Sequence, residues 1–563
     1  MLGRHAPDFP ADNLIVPKIE RRILDAVTGG KIGRQNAGKI GKGSHGAARL
    51  HESFSDGANG IGLGGIRRSN AQTDFPPSAQ PLKGAIVSKG NRCHFQIKPK
   101  SAALRTIRSI GENGRAQGGG TTLRKVLGLA VAAALSIAPA GAMAAEKAFP
   151  GALGWAAKTP GGRGGQIIRV TTLAADGPGS FKAAVEAKGP RIVVFEIGGV
   201  IDLGAKTLTI REPFLTIAGQ TAPSPGITLI RGGVDIATHD VVVQHLRVRA
   251  GEAGLAKKSG WDFDSISTQG VAYNILIDHN SLTWGTDENL SASGPRFVGK
   301  TPDEWRAGTS RSITFSNNII AESLGYSTHA KIEHSKGSLI HDNVTDILIV
   351  GNLYAHNYER NPLFKGGVRG VIANNLIFNP GQRAIHYNLM AAEWGNEPWQ
   401  VGQVVAVGNV LRGGQDTPAD LPFFQIGGYG DVEFYGKDNI AVDRFGKPLP
   451  MFGRYTTAPA KIIEVKKPPT WPEGFTAMPA EQVQLSVLTN AGARPWDRDT
   501  DDVRLLADVA EGRGEIIDSE QDLHGYPQQK ESRRPFNEAD WNLQDMTPKR
   551  PEVLDSGAKA RGT

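Results

Sequence analysis

The sequence predicts an all-β protein built as a parallel β-helix, a solenoid whose short coils stack on one another. Between residues 241 and 441, short apolar runs recur with spacings of about 23 to 38 residues, as in solenoid repeats. Glycine is abundant, at 71 of 563 residues, and aromatic residues make up only 7%, which favours short strands and turns. One polar position recurs in the aligned runs: His245 in the first coil, then Asn280, Asn318, Asn352, Asn375, Asn409 and Asn439.

Asparagine suits such a position for two reasons. It tolerates the left-handed backbone of a tight bend, and stacked amides can hydrogen-bond from one coil to the next. A β-sandwich would need polar and apolar residues in alternation and closely spaced hairpins, which the runs lack. At the start of the solenoid, residues 180–189 predict a short capping helix, with Ser180 as N-cap and Phe181, Ala184 and Val185 on one face.

The amino-terminal part differs from the rest of the chain. Residues 1–144 hold 21 Lys+Arg and 8 Asp+Glu, which leaves 43 basic and 48 acidic residues for 145–563. The basic pI of about 9.3 therefore belongs to this leader, and a nucleic-acid partner is not expected. Residues 123–144 carry basic residues, an apolar run and a small-residue cleavage pattern, which together predict a secretory signal peptide.

A signal peptide is expected at the start of a protein, so we interpret residues 1–122 as an over-extended reading frame. A genuine long disordered leader is the alternative. We expect a secreted, monomeric protein with no membrane attachment after cleavage, either periplasmic or released. The single cysteine, Cys93, precedes the cleavage site, so disulfides and thiolate metal sites are excluded from 145–563.

The predicted solenoid covers residues 145–442. Residues 443–563 are richer in proline and charge and predict an irregular extension packed along the solenoid, with a frayed tail after about residue 544. One helix is expected in this extension, at 499–512, because acidic residues occupy its first turn and Gly512 stands near its end.

Two charged segments suggest the chemistry. In WDFDSIS, at 261–267, Asp262 and Asp264 are two apart and would share one face of a strand. One coil later Asp287 could join them, and an oxygen-only cluster suits Ca²⁺. Solvated turn carboxylates are the alternative interpretation.

The second segment is ERNPLFKGG, at 359–367, with Arg360 and Lys365 five residues apart. Lys336 lies one coil earlier, so stacking would place the three cations on one ridge, near the carboxylates, where an acidic ligand could bind. Surface cations paired with neighbouring acids are the alternative. His279 is interpreted as structural, and the sequence shows neither a nucleophile elbow nor a phosphate-binding glycine loop.

These segments resemble the pectate lyases of polysaccharide lyase family 1. The resemblance is carried by the stretch GGRGGQIIRVTTLAADGPGSFKAAVEAKGPRIVVFEIGGVIDL at 161–203, by LTIAGQTAP at 215–223, ILIDHNSLTWGTDENLS at 275–291, ERNPLFKGG at 359–367 and AGARPWDRD at 491–499. It implies a right-handed parallel β-helix that binds Ca²⁺ and cleaves an acidic polysaccharide, polygalacturonate, by β-elimination to give 4,5-unsaturated oligogalacturonides.

The resemblance also assigns roles residue by residue. Asp262, Asp264 and Asp287 match the calcium carboxylates, Arg360 matches the Brønsted base, and Lys336 matches a substrate-binding lysine. Lys365 stands where many members have a second arginine, so the bidentate fork of a guanidinium is absent there.

One further departure concerns the metal, and two rival functions stay open. Thr283 stands where several members have another acidic ligand, and Glu288 is a possible substitute for it. The rivals are a β-helix lyase acting on another uronate polymer, such as methylated pectin, and a non-catalytic carbohydrate-binding β-helix.

Overall fold

The computed structural model describes residues 146–331 and 333–555, which form a right-handed parallel β-helix. The predicted leader, 1–122, and signal peptide, 123–144, lie outside the described residues. Three parallel sheets run along the helix, and each coil contributes one strand to each sheet. Valine, isoleucine, leucine and phenylalanine side chains from all three sheets fill the interior as one continuous core. The predicted fold class is therefore confirmed.

The strands are short, as the runs in the sequence indicate. Sheet 1 contains Gln166–Val170, Arg191–Phe195, Leu215–Ala218, His239–Gln244, Tyr273–Asp278, Arg311–Ser316, Thr345–Val350, Arg369–Ala373, Gly402–Val407, Val432–Lys437 and Ile462–Glu464. Sheet 2 contains Ile197–Asp202, Ile227–Ile230, Leu246–Arg249, Ser281–Thr283, Ile319–Ala321, Leu353–Ala355, Leu376–Phe378, Val410–Arg412 and Ile440–Val442, with Ser532–Arg533 added antiparallel. Sheet 3 contains Leu208–Ile210, Val234–Ile236, Ile266–Thr268, Leu290–Ala292, Leu339–Ile340, Leu363–Lys365, Ile385–Leu389, Phe424–Gly428 and Phe452–Arg454. Trp541–Asn542 and Thr547–Pro548 form a separate antiparallel pair.

Helices are few. The α-helices are Phe181–Glu186, Pro302–Ala307, Ala391–Trp394, Ala480–Asn490, Thr500–Glu511 and Glu552–Asp555, and the 3₁₀ turns are Gly219–Thr221, Glu520–Leu523 and Glu538–Asp540. None of the helices within 146–331 and 333–555 has the length and apolarity needed to cross a membrane.

The capping helix Phe181–Glu186 forms as predicted. Ser180 is its N-cap and accepts a hydrogen bond from the backbone N–H of Ala183 at 3.2 Å. Phe181, Ala184 and Val185 are buried in the main core, and the helix stands before the strand Arg191–Phe195. Its apolar face therefore covers the amino-terminal end of the solenoid.

The predicted asparagine ladder is present at the bends between sheets 1 and 2. The side-chain amide of each asparagine donates to the side-chain oxygen of the next, over 3.1, 3.0, 2.9, 3.0 and 3.0 Å from Asn280 to Asn439. Each side-chain oxygen from Asn318 onward also accepts the backbone N–H of the preceding asparagine. The ladder thus pairs buried polar groups inside an apolar core.

Two details of the ladder differ from the prediction. Leu246, not His245, occupies the ladder position of the first coil, because the backbone N–H of Leu246 donates to Asn280 at 3.0 Å. The left-handed backbone belongs to the residue before each ladder asparagine, for example Asn317 with φ 53° and Asn374 with φ 55°. His245 holds that earlier position, with φ 59°, and its ring stacks on His279 at 5.2 Å.

Asn352→Ala should lower the free energy of unfolding by about 3–5 kcal/mol. Asn352 is fully buried and accepts from the backbone N–H of Asn318 while donating to Asn375, and each orphaned group costs about 1–3 kcal/mol. Asn439→Ala is the matched control, because this last rung is only half-buried and water can replace its bonds. Urea unfolding of both variants tests the ladder, and equal losses would contradict it.

The carboxyl-terminal part packs on the outer face of sheet 2. The predicted helix is confirmed as Thr500–Glu511, with Asp499 as N-cap and Gly512 in the left-handed C-cap conformation. Leu505, Leu506 and Val509 join a second apolar cluster with strand residues of sheet 2 such as Leu353. The helix Ala480–Asn490, which the sequence analysis did not predict, belongs to the same cluster.

The carboxyl-terminal boundary also differs from the expected one. The solenoid continues past residue 442, because Phe452–Arg454 pairs with sheet 3 and Ile462–Glu464 pairs with sheet 1. In the described part of the tail beyond residue 544, Met546 is buried beside Trp541 in a small apolar cluster. Because the proline and charge of this region are typical of irregular structure, the sequence did not predict these strands.

Candidate active site

The candidate site lies on the loops that enter successive strands of sheet 3. Glu288, Lys336 and Glu359 are joined by isolated parallel bridges, so they stack in order along the helix axis, one coil apart. All three side chains are buried. Sheet 3 therefore begins with a column of alternating charge, in which each lysine or glutamate lies about one strand spacing from the next.

Two arginines complete this column. Arg360 contacts the carboxylate of Glu288, and Arg383 contacts the carboxylate of Glu359, which also contacts Lys336. The guanidinium of Arg383 lies over the ring of Tyr455, 4.6 Å from its centre. The ion pairs fix the positions of three cations on one surface.

Burial and neighbouring charges shift the pKa values of Glu359 and Lys336 in this column. Although burial raises the pKa of Glu359, the neighbouring Lys336, His386 and Arg383 hold it to about 2. Burial lowers the pKa of Lys336 despite the opposing charge of Glu359. These cations therefore hold Glu359 in its ionised form.

Arg360 holds a special place in the column. It adopts the left-handed backbone conformation, with φ 61°, which is uncommon for residues other than glycine. Burial lowers the pKa of Arg360, and the charge of Arg383 lowers it further, while Asp287 and Asp264 oppose the shift. Burial and a neighbouring cation favour the neutral form of an arginine, whereas the contact with Glu288 favours the charged form.

Three carboxylates converge next to Arg360. The ligand oxygens of Asp264, Asp287 and Glu288 all lie within 4.8 Å of one another, and Asp264 accepts the backbone N–H of Glu288 at 2.9 Å. Burial and the charge of Asp287 raise the pKa of Asp264 well above its usual value. A divalent cation would relieve this repulsion, and an all-oxygen set fits Ca²⁺.

The prediction that Asp262 and Asp264 share one face of a strand is wrong. Asp262 and Asp264 lie in the loop before Ile266–Thr268. Asp264 enters the acidic group, whereas Asp262 is about half exposed and its Oδ2 lies 3.8 Å from His329 Nε2. Strand periodicity does not apply to a loop, so residues two apart need not converge.

Thr283 and Glu288 are also separated by the structure. Thr283 belongs to sheet 2, where its hydroxyl accepts a hydrogen bond from Arg249 at 3.1 Å. Glu288 instead lies within the acidic group. Glu288, not Thr283, therefore supplies the third carboxylate of the acidic group.

Lys365 belongs to a different set of charges. It is the last residue of the strand Leu363–Lys365, and its ammonium contacts Glu393 and lies 3.6 Å from Asp342. Arg296 bridges the same two carboxylates, at 3.0 and 2.9 Å. The expected ridge therefore brings Lys336 and Arg360 together but leaves Lys365 in ion pairs at the other end of the strand.

A probable pectate lyase C of Neosartorya fischeri is 31% identical over 403 residues, which cover 68% of this chain and 82% of that protein.

This chain belongs to the pectate lyase family.

Two other known proteins match a smaller part of this chain. A probable pectate lyase C of Emericella nidulans is 36% identical over 235 residues, or 42% of this chain, and the match spans about half, 48%, of that relative. Jun a 1, the major cedar pollen allergen, gives a TM-score of 0.42 at 17% identity, covering 61% of this chain and 92% of the allergen. No family model matches the chain.

Sequence reasoning missed two members of the charged column, Glu359 and Arg383. Glu359 directly precedes Arg360 in the quoted segment, and Arg383 follows Arg360 by 23 residues, the same interval that separates Lys336 from Glu359. The strand register agrees, since Leu363 pairs with His386 across the same interval. Coil length was the signal that would have placed Arg383 beside the others.

Proposed function

We propose that this chain is a calcium-dependent pectate lyase that cleaves polygalacturonate by β-elimination and releases 4,5-unsaturated oligogalacturonides. The observation that carries the proposal is the position of Arg360 and Lys336, which lie together beside the acidic group of Asp264, Asp287 and Glu288. A group that can take a proton, a group that can bind an anion and a cation-binding group therefore occupy one surface.

Arg360 is proposed as the base. It would remove the proton from C5 of a uronate, and the electron pair of that C–H bond would form the C4–C5 double bond. The C4–O4 bond would break, and O4 would leave with its electron pair and take a proton from solvent water. The contact with Glu288 orients the guanidinium. Because burial lowers the pKa of Arg360, less free energy is needed to reach its neutral form than for a solvated arginine.

Asp264, Asp287 and Glu288 are the residues that would hold the metal. Ca²⁺ bound there would offset the charge of the uronate carboxylate and make the C5 proton more acidic. Asp262, which the resemblance also assigns to calcium, stays a predicted ligand, with its carboxylate on the exposed side of the same loop.

The cations are proposed to bind successive uronates. Lys336 and Arg383 share Glu359, so their charges exceed those of their carboxylate partner and attract an anionic chain. Lys365 stays a predicted substrate-binding residue, but a uronate must compete there with Glu393. We also propose that the protein is secreted and monomeric and that the acidic polysaccharide is its partner.

Ultraviolet absorbance of the unsaturated uronate tests this function. Residues 145–563 incubated with polygalacturonate and calcium at alkaline pH should give a steady rise, which excess chelator stops and added calcium restores. A rise that persists in chelator would overturn calcium dependence, and a rise seen only on methylated pectin would favour that substrate. No rise on either polymer would leave the carbohydrate-binding alternative.

A further inference from the structure

Two histidines adjoin the acidic group without belonging to it. The rings of His329 and His334 stack at 3.6 Å between centres and 10° between planes, and both side chains are buried. His334 Nε2 contacts Oδ1 of Asp287. Two buried imidazoles thus lie side by side at the edge of a carboxylate cluster.

The two Nε2 atoms differ: that of His334 contacts Asp287, whereas that of His329 lies beyond hydrogen-bond distance of both neighbouring carboxylates. His329 Nε2 lies 4.0 Å from Asp287 Oδ1 and 3.8 Å from Asp262 Oδ2, and both distances exceed a hydrogen bond. The ligand atoms of Asp287, His329 and His334 all lie within 4.8 Å of one another. Two ligands on a tetrahedral zinc ion are about 3.3 Å apart. Because an imidazole binds a metal in the plane of its ring, the two rings must turn out of their parallel stack, and the side chains must close slightly, to reach a shared ion.

We propose that Asp287, His329 and His334, with Asp262 as a fourth ligand, form a binding site for a transition-metal ion such as Zn²⁺. Imidazole nitrogens suit first-row transition metals, whereas Ca²⁺ prefers oxygen ligands. The site is therefore chemically distinct from the group of Asp264, Asp287 and Glu288, although both use Asp287.

Both rings can bind a metal through Nε2, but binding breaks one hydrogen bond of His329. His334 Nδ1 is buried and has no hydrogen-bond partner among the described residues, so the ring can carry its proton there while Nε2 binds a metal. His329 Nδ1 accepts the backbone N–H of Lys331 at 3.0 Å. Ligation through Nε2 moves the ring proton to Nδ1, so we expect that this bond is broken on binding.

The shared aspartate has a functional consequence. A transition metal held by His329 and His334 takes the Asp287 carboxylate from the calcium group. Zinc should therefore inhibit a calcium-dependent reaction at this site, and excess calcium should reverse that inhibition. This consequence rests on the proposed lyase function, whereas the zinc site itself does not.

Metal binding to the full purified chain tests the site without polysaccharide. After treatment with chelator and dialysis, we expect Co²⁺ to give the visible absorption of a nitrogen-ligated four-coordinate ion and Zn²⁺ to displace it. The double variant His329→Gln/His334→Gln should bind Zn²⁺ at least about 10- to 100-fold more weakly, the loss seen even for outer partners of metal ligands. His524→Asn, at an exposed histidine, is the matched control and should bind like the parent.

Separate variants distinguish this site from the calcium group. Asp264→Asn should weaken calcium binding and leave zinc affinity within about twofold, because Asp264 is absent from the histidine cluster. Circular dichroism establishes that each variant is folded. Unchanged zinc affinity in the double histidine variant, or a parent chain that binds neither Co²⁺ nor Zn²⁺, would overturn the proposal, even if the lyase assay succeeds.

Discussion

Arg360→Ala should lower the turnover of polygalacturonate by about 10²- to 10⁴-fold, the contribution of a positioned general base. The fold should survive, because Arg360 precedes the strand Leu363–Lys365 and lies outside the apolar core. Calcium affinity should stay measurable through Asp264 and Asp287. The measurement is kcat from the absorbance of unsaturated product, with the melting temperature recorded for the same preparation.

Arg231→Ala is a matched control for this substitution. Arg231 is also an arginine with a left-handed backbone, φ 53°, but it pairs with Asp202 on the surface, away from sheet 3's charged column. Alanine at either position meets the same backbone strain, so only the loss of Arg360 should affect turnover. Wild-type kcat in the Arg360→Ala variant would refute the assigned base.

A second substitution separates charge from base strength. Arg360→Lys keeps a cation, but the ordinary pKa of lysine is about 10.4, below that of arginine. If the neutral form of residue 360 is the reactive one, the rising limb of kcat against pH should move to lower pH in this variant. A pH profile identical to that of the parent would mean that another group takes the C5 proton.

Asp499→Ala should destabilise the protein by about 2–3 kcal/mol, because two buried arginines lose their shorter carboxylate contact and keep Asp502 at 3.4 Å from each. Arg247 and Arg249 are buried in sheet 2, and their side chains lie 3.2 and 2.8 Å from Asp499 Oδ2. Asp499 is also the N-cap of Thr500–Glu511, so its removal weakens the helix as well. The urea midpoint and melting temperature measure the loss.

Two further variants separate the loss of the ion pairs from the loss of the N-cap. Asp499→Asn keeps a good N-cap and removes only the charge, so it should retain about 1 kcal/mol relative to alanine. Glu511→Ala, at an exposed residue of the same helix, should change stability by less than about 0.5 kcal/mol. If Asp499→Ala behaves like Glu511→Ala, the ion pairs do not fasten the extension to sheet 2.

The solenoid could be predicted because its signals are local and repeated. Each coil repeats one apolar pattern and one asparagine, and six of the seven ladder positions are correct. The error at His245 has a physical cause: the bend needs both a left-handed residue and a ladder residue, which are adjacent. In the first coil the ladder residue is Leu246, so the histidine beside it was the polar residue that the alignment selected.

The site was less predictable because its residues lie on loops. Lys336 and Arg360 were placed correctly relative to each other by coil stacking. Asp262 and Asp264, however, were assigned to a strand that begins only at Ile266. Loop conformation depends on contacts with other coils, such as the bond from Glu288 to Asp264, which no local pattern specifies.

The ion pair between Lys365 and Glu393 could not be predicted from the sequence, for a different reason. Glu393 lies 28 residues farther along, on the helix Ala391–Trp394 in a connection between coils. Connections vary in length and do not repeat, so coil stacking says nothing about where such a side chain points. The stacking rule therefore predicts neighbours within sheets and fails for residues contributed by connections.

The masses of the products test the central claim most directly. Elimination adds no water, so each cut of polygalacturonate should yield one ordinary oligomer and one lighter by a water molecule, and digestion in heavy-oxygen water should leave both unlabelled. The account predicts these unsaturated, unlabelled oligomers, with their formation lost in Arg360→Ala. Products that each carry a full water, with heavy oxygen at the new reducing ends, would show hydrolysis and contradict it.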